Sequence, residues 1–241
     1  VCGCVGVCGG ARSRELGAGR KWHCVMRDMR RFKAFVFDMD GTILDSEKYH
    51  IRAFVDAMRE VAGYTLTDAE ELEFIGHPSF AFAGMLAKRH GLTLSPDVVV
   101  KRKFERTYEI FRAEFFPGAE EFILAWRGRV AMALASNSPH HFVDRAVRDL
   151  GLDGVLNPVL AIEDVKQGKP DPEMLLAAMH RLGVGASETL VFEDSPLGIQ
   201  AALAAGCTVV ALANPGYPPP VNVPPGVEVT TWPELNAICA R

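Results

Sequence analysis

The chain has 241 residues, room for one large domain or for a domain carrying an insertion. It is 49% hydrophobic and 23% charged, an ordinary globular composition. A net charge of −4 and a pI near 6.0 give no basic footprint for nucleic acid, and no apolar run approaches the roughly 20 residues that span a bilayer, so neither nucleic acid nor membrane is expected as a partner.

Residues 1–32 differ from everything after them. They are rich in Gly, Arg and Cys, without helical or strand periodicity, and hold four of the six cysteines: Cys2, Cys4, Cys8 and Cys24. Cys-x-Cys-x3-Cys lacks the paired spacing of a zinc knuckle. There is no long apolar core behind a basic start, so the segment is not a secretory signal. It reads as a disordered leader, or as sequence upstream of a true start at Met26 or Met29. Cys207 and Cys239 sit in apolar surroundings and read as buried small hydrophobes of a reducing compartment. The expected location is cytoplasmic, or organellar if the Arg-rich, acid-poor leader is a transit peptide.

The stretch 33–47, KAFVFDMDGTILDSE, organises the rest. Residues 34–37 are apolar without polar alternation, as in a strand buried on both faces of a parallel sheet. The run stops at Asp38, and Asp40, Gly41 and Thr42 follow. An amphipathic helix comes next, with Ile51, Phe54, Val55 and Met58 on one face and Gly63 at its end. Further helices are expected over 68–74, 80–89 and 96–115, the last striped by Val100, Phe104, Tyr108, Phe111 and Phe115. Residues 46–116 therefore read as an all-helical block inserted between two strands.

After Pro117-Gly118 a helix is expected over 119–126, and strands and helices then alternate. Strands are expected at 130–135, 159–162, 189–192, 208–212 and 227–229, with helices to 150, over 172–182, up to Gly206 and over 232–240. Repeated β–α units with apolar strands imply an α/β fold, a doubly wound parallel sheet with helices on both faces. The expected division is a leader at 1–32, a core of 33–45 and 117–241, and a helical cap at 46–116.

The polar residues at the strand ends carry the chemistry. Asp38 and Asp40 follow the first strand, Ser136 and Asn137 the second, Lys169 the third, Glu193 and Asp194 the fourth. In a parallel sheet these ends share one edge, so the residues should meet in one crevice. Clustered carboxylates repel one another unless a cation sits among them, and Mg²⁺ with oxygen ligands and a substrate phosphate fits. Ser136 and Lys169 offer a hydroxyl and a fixed positive charge to phosphate oxygens, and Asn137 is expected to bind the phosphate beside them. Asp38 can act as a nucleophile that forms an aspartyl-phosphate. Asp40, two residues on and on the same side of an extended chain, can protonate the leaving oxygen and then deprotonate water.

The set resembles the haloacid dehalogenase-like hydrolase superfamily, in its branch with a helical cap after the first motif. Asp38-Met39-Asp40-Gly41-Thr42 looks like the first motif, Ser136 the second, Lys169 in Gly168-Lys169-Pro170-Asp171-Pro172 the third, and Glu193-Asp194 in VFEDSPLGIQAALAAG the fourth. The resemblance covers about residues 33 to 213. It implies a Rossmann-like core, an aspartyl-phosphate intermediate and Mg²⁺ held by the Asp38 side chain, the Asp40 backbone carbonyl and Asp194, with Glu193 in support. The implied activity is hydrolysis of a small phosphorylated metabolite by a monomer or weak dimer, with specificity expected from the cap through His77, Ser79 and Phe80 of the 76–80 loop and through His50. A phosphomutase of the β-phosphoglucomutase kind shares every core motif, and His50 in YHIRAF resembles its first cap helix. Such mutases carry an arginine in the cap loop. Here Ser79 is followed by Phe80, with Lys88 and Arg89 the nearest cations. A non-catalytic binding protein on the same fold is a third alternative, although every catalytic position is filled.

Overall fold

A computed structural model describes residues 26–75, 77–217, 219–220 and 222–239. The four leader cysteines, with residues 1–25, and Gly76 of the expected specificity loop lie outside them. The apolar runs form β1 (Ala34–Phe37), β2 (Ala131–Ala135), β3 (Val159–Leu160), β4 (Thr189–Glu193), β5 (Thr208–Leu212) and β6 (Glu228–Thr230). All pair in parallel, in the order β3-β2-β1-β4-β5-β6. The chain winds outward from β1 to β3, then crosses back to start again at β4. The ends of β1 and β4 therefore flank the switch point, where an open α/β sheet binds its ligand.

Side chains alternate along a strand, so each strand feeds two cores. Phe35, Phe37, Leu134, Phe192 and Leu212 pack with Phe122 and Trp126 of α5 (Ala119–Trp126), Phe142 and Val143 of α6 (His140–Asp149) and Trp232 of α9 (Trp232–Cys239). Phe37 stacks on Phe192 with ring centroids 4.9 Å apart. Val36, Ala133, Val191 and Ala211 pack on the other face with Met174 and Leu175 of α7 (Glu173–Leu182) and Ile199 and Ala202 of α8 (Pro196–Ala204). Cys207 belongs to this second core, buried and with a free thiol, and Cys239 is free and half-buried.

Between β1 and β2 the chain is helical: α1 (Glu47–Ala62), α2 (Asp68–Phe74), α3 (Ser79–His90) and α4 (Pro96–Ile110). These helices have a core of their own, built from Phe54, Met58, Phe74, Phe82, Leu86 and Val99. Among the described residues no helix is long and apolar enough to cross a membrane.

Two expectations fail in this block. The fourth helix ends at Ile110, not near 115, because the chain beyond it pairs elsewhere. Leu44 and Phe115 form an antiparallel bridge, Asp45 N donates to Glu114 O at 2.9 Å and Phe116 N donates to Ile43 O at 3.1 Å. The connection into the block and the connection out of it thus lie side by side. Lys48 bridges the Asp45 and Glu114 carboxylates, and the Tyr217 hydroxyl donates to Asp45 at 2.7 Å from the Pro-rich loop. The expected stripe on α4 is also displaced. Phe104 and Tyr108 are exposed, and the buried face is Val99, Lys103 and Thr107.

At the other end of the chain, Met29 and Phe32 fall inside the expected leader, yet both are buried in the first core.

Candidate active site

β1 ends on an apolar residue, and the next one, Asp38, still donates its backbone N–H to Phe192 O at 3.0 Å. The chain then curls, with Thr42, Ile43 and Leu44 all donating to Met39 O. Gly41 sits at φ +81°, where L side chains are strained, and a Cβ there would lie 2.2 Å from Asp194 Oδ2. Glycine is required twice over, once for conformation and once for the approach of Asp194. Trp232 Nε1 donates to Thr42 O at 2.9 Å, and Asn214 Nδ2 donates to Gly41 O, so the loop is pinned from two other elements.

Seven residues expected at the strand ends converge here. Lys169 is buried, and its ammonium donates to Asp38 Oδ1 at 2.5 Å and to Glu193 Oε1 at 2.6 Å. Burial pulls the Lys169 ammonium down, but Asp38 and Glu193 push it above its ordinary value. Glu193 Oε2 accepts from Asp194 N, Ser195 N and Ser195 Oγ, each at 3.0 Å. Both oxygens of Glu193 are thus committed within the protein. Asp194 accepts from Thr42 Oγ1 at 2.9 Å on one oxygen only. Asp38 likewise uses one oxygen.

Oxygens of Asp38, Glu193 and Asp194 lie within 4.8 Å of one another. Burial, then the charge of Glu193, holds the carboxyls of Asp38 and Asp194 above the usual carboxylate range. Lys169 supplies one positive charge against three negative ones. This donor set fits a hard divalent cation, with Asp38 and Asp194 each keeping an oxygen that makes no hydrogen bond among the described residues. Glu193 fits as the residue that orients the others.

Asp40 is held by hydroxyls. Ser46 Oγ donates to Oδ1 at 2.6 Å, Ser138 Oγ to Oδ2 at 2.6 Å, and Ser136 Oγ to Oδ2 at a long 3.4 Å. Burial raises its carboxyl and the serine hydroxyls partly offset this. The carboxyl is thus moved toward neutrality, where it can both give and take a proton. The Asn137 side chain is spent as a splint. Its Oδ1 accepts from Lys169 N at 2.9 Å and its Nδ2 donates to Lys169 O at 3.1 Å, locking the second and third loops together.

A cavity of about 320 Å³ is lined by Asp38, Asp40, Ser136, Asn137 and Lys169 from the sheet, and by His50, Lys103 and Phe104 from the helical block. A second, of about 490 Å³, is lined by Asp40, Gly41, Asp194 and Asn214, and by Glu47, Ile75 and Tyr217. Asp40 and Ser195 line both.

His50 therefore faces the site. Its Nδ1 lies 2.9 Å from Lys103 Nζ and its Nε2 lies 4.0 Å from Asp40 Oδ1. Burial, then Lys103, lowers the imidazole to about 3, so it is neutral. Since Lys103 donates, Nδ1 accepts, and the ring proton sits on Nε2 toward Asp40. His77, Ser79 and Phe80 line neither cavity. His77 is exposed with its ring 5.5 Å from that of Phe82, and Phe80 is 53% exposed. Ile75 represents that turn instead.

Sequence reasoning missed Lys103, Glu47, Ser46 and Ser138. Ser138 was detectable as a second hydroxyl after β2. Lys103 was marked only by its register with Val99 and Thr107, the row one residue round the helix from the more obvious aromatic one.

The family model of the haloacid dehalogenase-like hydrolases matches residues 32–206. The fructose-1-phosphate phosphatase YqaB of Escherichia coli (strain K12) is 33% identical over 185 residues, covering 75% of this chain and 96% of the relative. A putative β-phosphoglucomutase from Thermotoga maritima superposes with a TM-score of 0.71 at 25% identity, over 87% of this chain and 99% of the other. A hydrolase of the same family from Deinococcus radiodurans R1, solved with bound phosphate and sodium, gives 0.71 at 28% identity, over 88% of this chain and 96% of the other. The matched span contains every strand-end residue of the site, and the chain belongs to the haloacid dehalogenase-like hydrolases.

Proposed function

We propose that this chain is a Mg²⁺-dependent phosphatase of a small phosphorylated metabolite, a sugar phosphate foremost, acting through an aspartyl-phosphate on Asp38. The observation that carries the reading is the placing of Asp38 and Asp40 in one cavity with Ser136 and Lys169. A relative named for fructose 1-phosphate supports the substrate class.

The residues that would hold Mg²⁺ are the Asp38 and Asp194 side chains and the Asp40 backbone carbonyl, with Glu193 orienting Lys169 and the start of α8. When bound, the ion supplies charge neutralisation at the phosphate oxygens. Lys169 and Ser136 bind the remaining phosphate oxygens. Asp38 uses a carboxylate oxygen to attack phosphorus, and the bond to the leaving oxygen breaks. Asp40 hands that oxygen a proton, then takes one from the water that attacks the aspartyl-phosphate, releasing phosphate and restoring Asp38. The helical block acts as a cap that excludes bulk water and meets the leaving group.

A phosphomutase of the β-phosphoglucomutase kind would need a cap-loop arginine for a second phosphate, and Lys103, the cap cation that does line a cavity, sits on α4 instead. Lys88 and Arg89 line neither cavity, and Arg89 is paired with Glu73 at 2.7 Å. The test is a phosphate-release screen over phosphorylated sugars, nucleotides and acetyl phosphate, with Mg²⁺ and with excess chelator. A hexose 1-phosphate with a bisphosphate activator goes in the same plate. Asp38→Asn, nearly isosteric, should fold and retain no more than a few per cent of turnover, since nucleophile loss removes orders of magnitude. Full activity in that variant, or in chelator, overturns the mechanism.

A further inference from the structure

Two charged residues of the helical block face the cavities with bonding capacity unfilled. Lys103 is only 5% exposed, yet no carboxylate lies within ion-pair distance of its ammonium among the described residues. Its polar partner is His50 Nδ1 at 2.9 Å, and its charge lies 4.5 Å from the Phe104 ring centroid. An ammonium has three donors, so two remain to be used. Glu47 opens α1 and lines the larger cavity. It makes no hydrogen bond and no ion pair among the described residues. An acid in the first turn suits the helix dipole, but that accounts for neither its half-burial nor its lack of partners.

The two residues act on each other across a gap. Burial raises the Glu47 carboxyl and Lys103 lowers it; burial lowers the Lys103 ammonium and Glu47 raises it. They are close enough to feel one another and too far apart to pair directly. They flank Asp40, which lines both cavities and faces the leaving oxygen in the reading above. A leaving group on that oxygen must pass between an ammonium with two N–H groups unused and a carboxylate without a donor. A hydroxyl is both at once: it accepts from the ammonium and donates to the carboxylate. A second phosphate or a carboxylate would satisfy Lys103 but be repelled by Glu47 and Asp40. A plain hydrocarbon chain would fill neither the remaining donors of buried Lys103 nor the acceptors of half-buried Glu47.

We propose that Glu47 and Lys103 form a hydroxyl-reading subsite, which selects leaving groups carrying a hydroxyl close to the esterified oxygen: polyols and sugars, not acids or bisphosphates. This rests on the phosphatase reading and deepens it. The probes are a hexitol phosphate, n-hexyl phosphate with the same chain and no hydroxyls, a hexose bisphosphate and acetyl phosphate. The wild type should prefer the hexitol ester over the hexyl ester by about 100-fold or more in kcat/KM, because a polar site rejects a ligand that leaves it unpaired. Glu47→Gln and Lys103→Met should each shrink that preference by about tenfold or more, with Lys103→Arg restoring part of it. Thermal melts show which variants are folded. Should Lys103→Met fail to fold, the near-isosteric Glu47→Gln decides alone. An unchanged preference in the folded variants overturns the subsite and leaves the phosphatase reading standing. A wild type that favours the bisphosphate, with Lys103→Met losing it and Glu47→Gln keeping it, overturns it in favour of charge pairing. A wild type that hydrolyses no ester at all, acetyl phosphate included, overturns the phosphatase reading and the subsite with it.

Discussion

Gly198→Ala is a sharp test of the site because its sign should be reversed. Within a helix, alanine is ordinarily better than glycine by about 0.5–1 kcal/mol. Gly198 lies in α8, but a Cβ there would fall 1.6 Å from Glu193 Oε1 and 1.9 Å from its Cδ. Glu193 is not free to swing aside, since its carboxylate accepts from Lys169, from two backbone amides and from the Ser195 hydroxyl. Overpacking costs about 1–3 kcal/mol. Losing one charge-assisted hydrogen bond costs about 1.5–3 kcal/mol more. After the helical gain, the net loss is about 2–5 kcal/mol, or a Tm lower by about 4–20 °C for a chain of this size. Gly84→Ala in α3 is the control, because a Cβ there meets only Pro96 Cγ, at 3.9 Å. It should raise Tm slightly. The assay is a melt of both variants beside the wild type, with phosphate release measured in parallel. Gly198→Ala should also lose activity, since the displaced carboxylate orients Lys169. If it melts at or above the wild type, Glu193 is not pinned and the account of the metal-side cluster is wrong.

Asp194→Asn should raise the Mg²⁺ concentration needed for half-maximal activity by an order of magnitude or more, about 10–100-fold, with Ca²⁺ inhibiting; an unaltered Mg²⁺ titration would refute its role as a ligand. Burial pulls Lys103 down to about 8 against the raising effect of Glu47 and Asp40, so kcat/KM for a hydroxylated ester should fall as pH rises past about 8, and Lys103→Arg should move that limb upward. Stability has the opposite sign. The folded state binds fewer protons at Lys103 than the unfolded chain between about 8 and the ordinary 10.5, so this residue's penalty is relieved as pH rises through that window, and Lys103→Met should flatten that part of the Tm–pH curve.

The strand-end residues were legible because parallel topology turns four separate loops into one edge. Asp38, Asp40, Ser136, Lys169, Glu193 and Asp194 needed only apolar runs and the polar residues that stop them. Asn137 was located but its use was not, because splinting the Lys169 backbone depends on how two loops meet. The helical block was legible as helices and illegible as a surface. Periodicity marked Phe104 and Tyr108 as part of one apolar stripe, whereas in the fold both are exposed and a lysine beside them is buried. No hydrophobic pattern buries a lysine, since the reason is a cavity formed with another part of the chain. The end of α4 was missed for a similar cause. The stretch after Ile110 is drawn into pairing with residues 43–45, a contact remote in sequence.

That pairing has a consequence for how such a chain can change over evolutionary time. The helical block leaves and rejoins the sheet at a single point, where Leu44 meets Phe115 and Lys48 ties Asp45 to Glu114. An insertion whose ends touch is interchangeable. A longer, shorter or unrelated block can be spliced between those two positions without parting any strand of the sheet. The hydrolytic apparatus stays on one side of the junction, and among the described residues Glu47, His50, Ile75, Lys103 and Phe104 line the cavities from the other. Ancestry can therefore keep one reaction and exchange its clientele wholesale. A chimera joined at this junction would be the laboratory version of the same event.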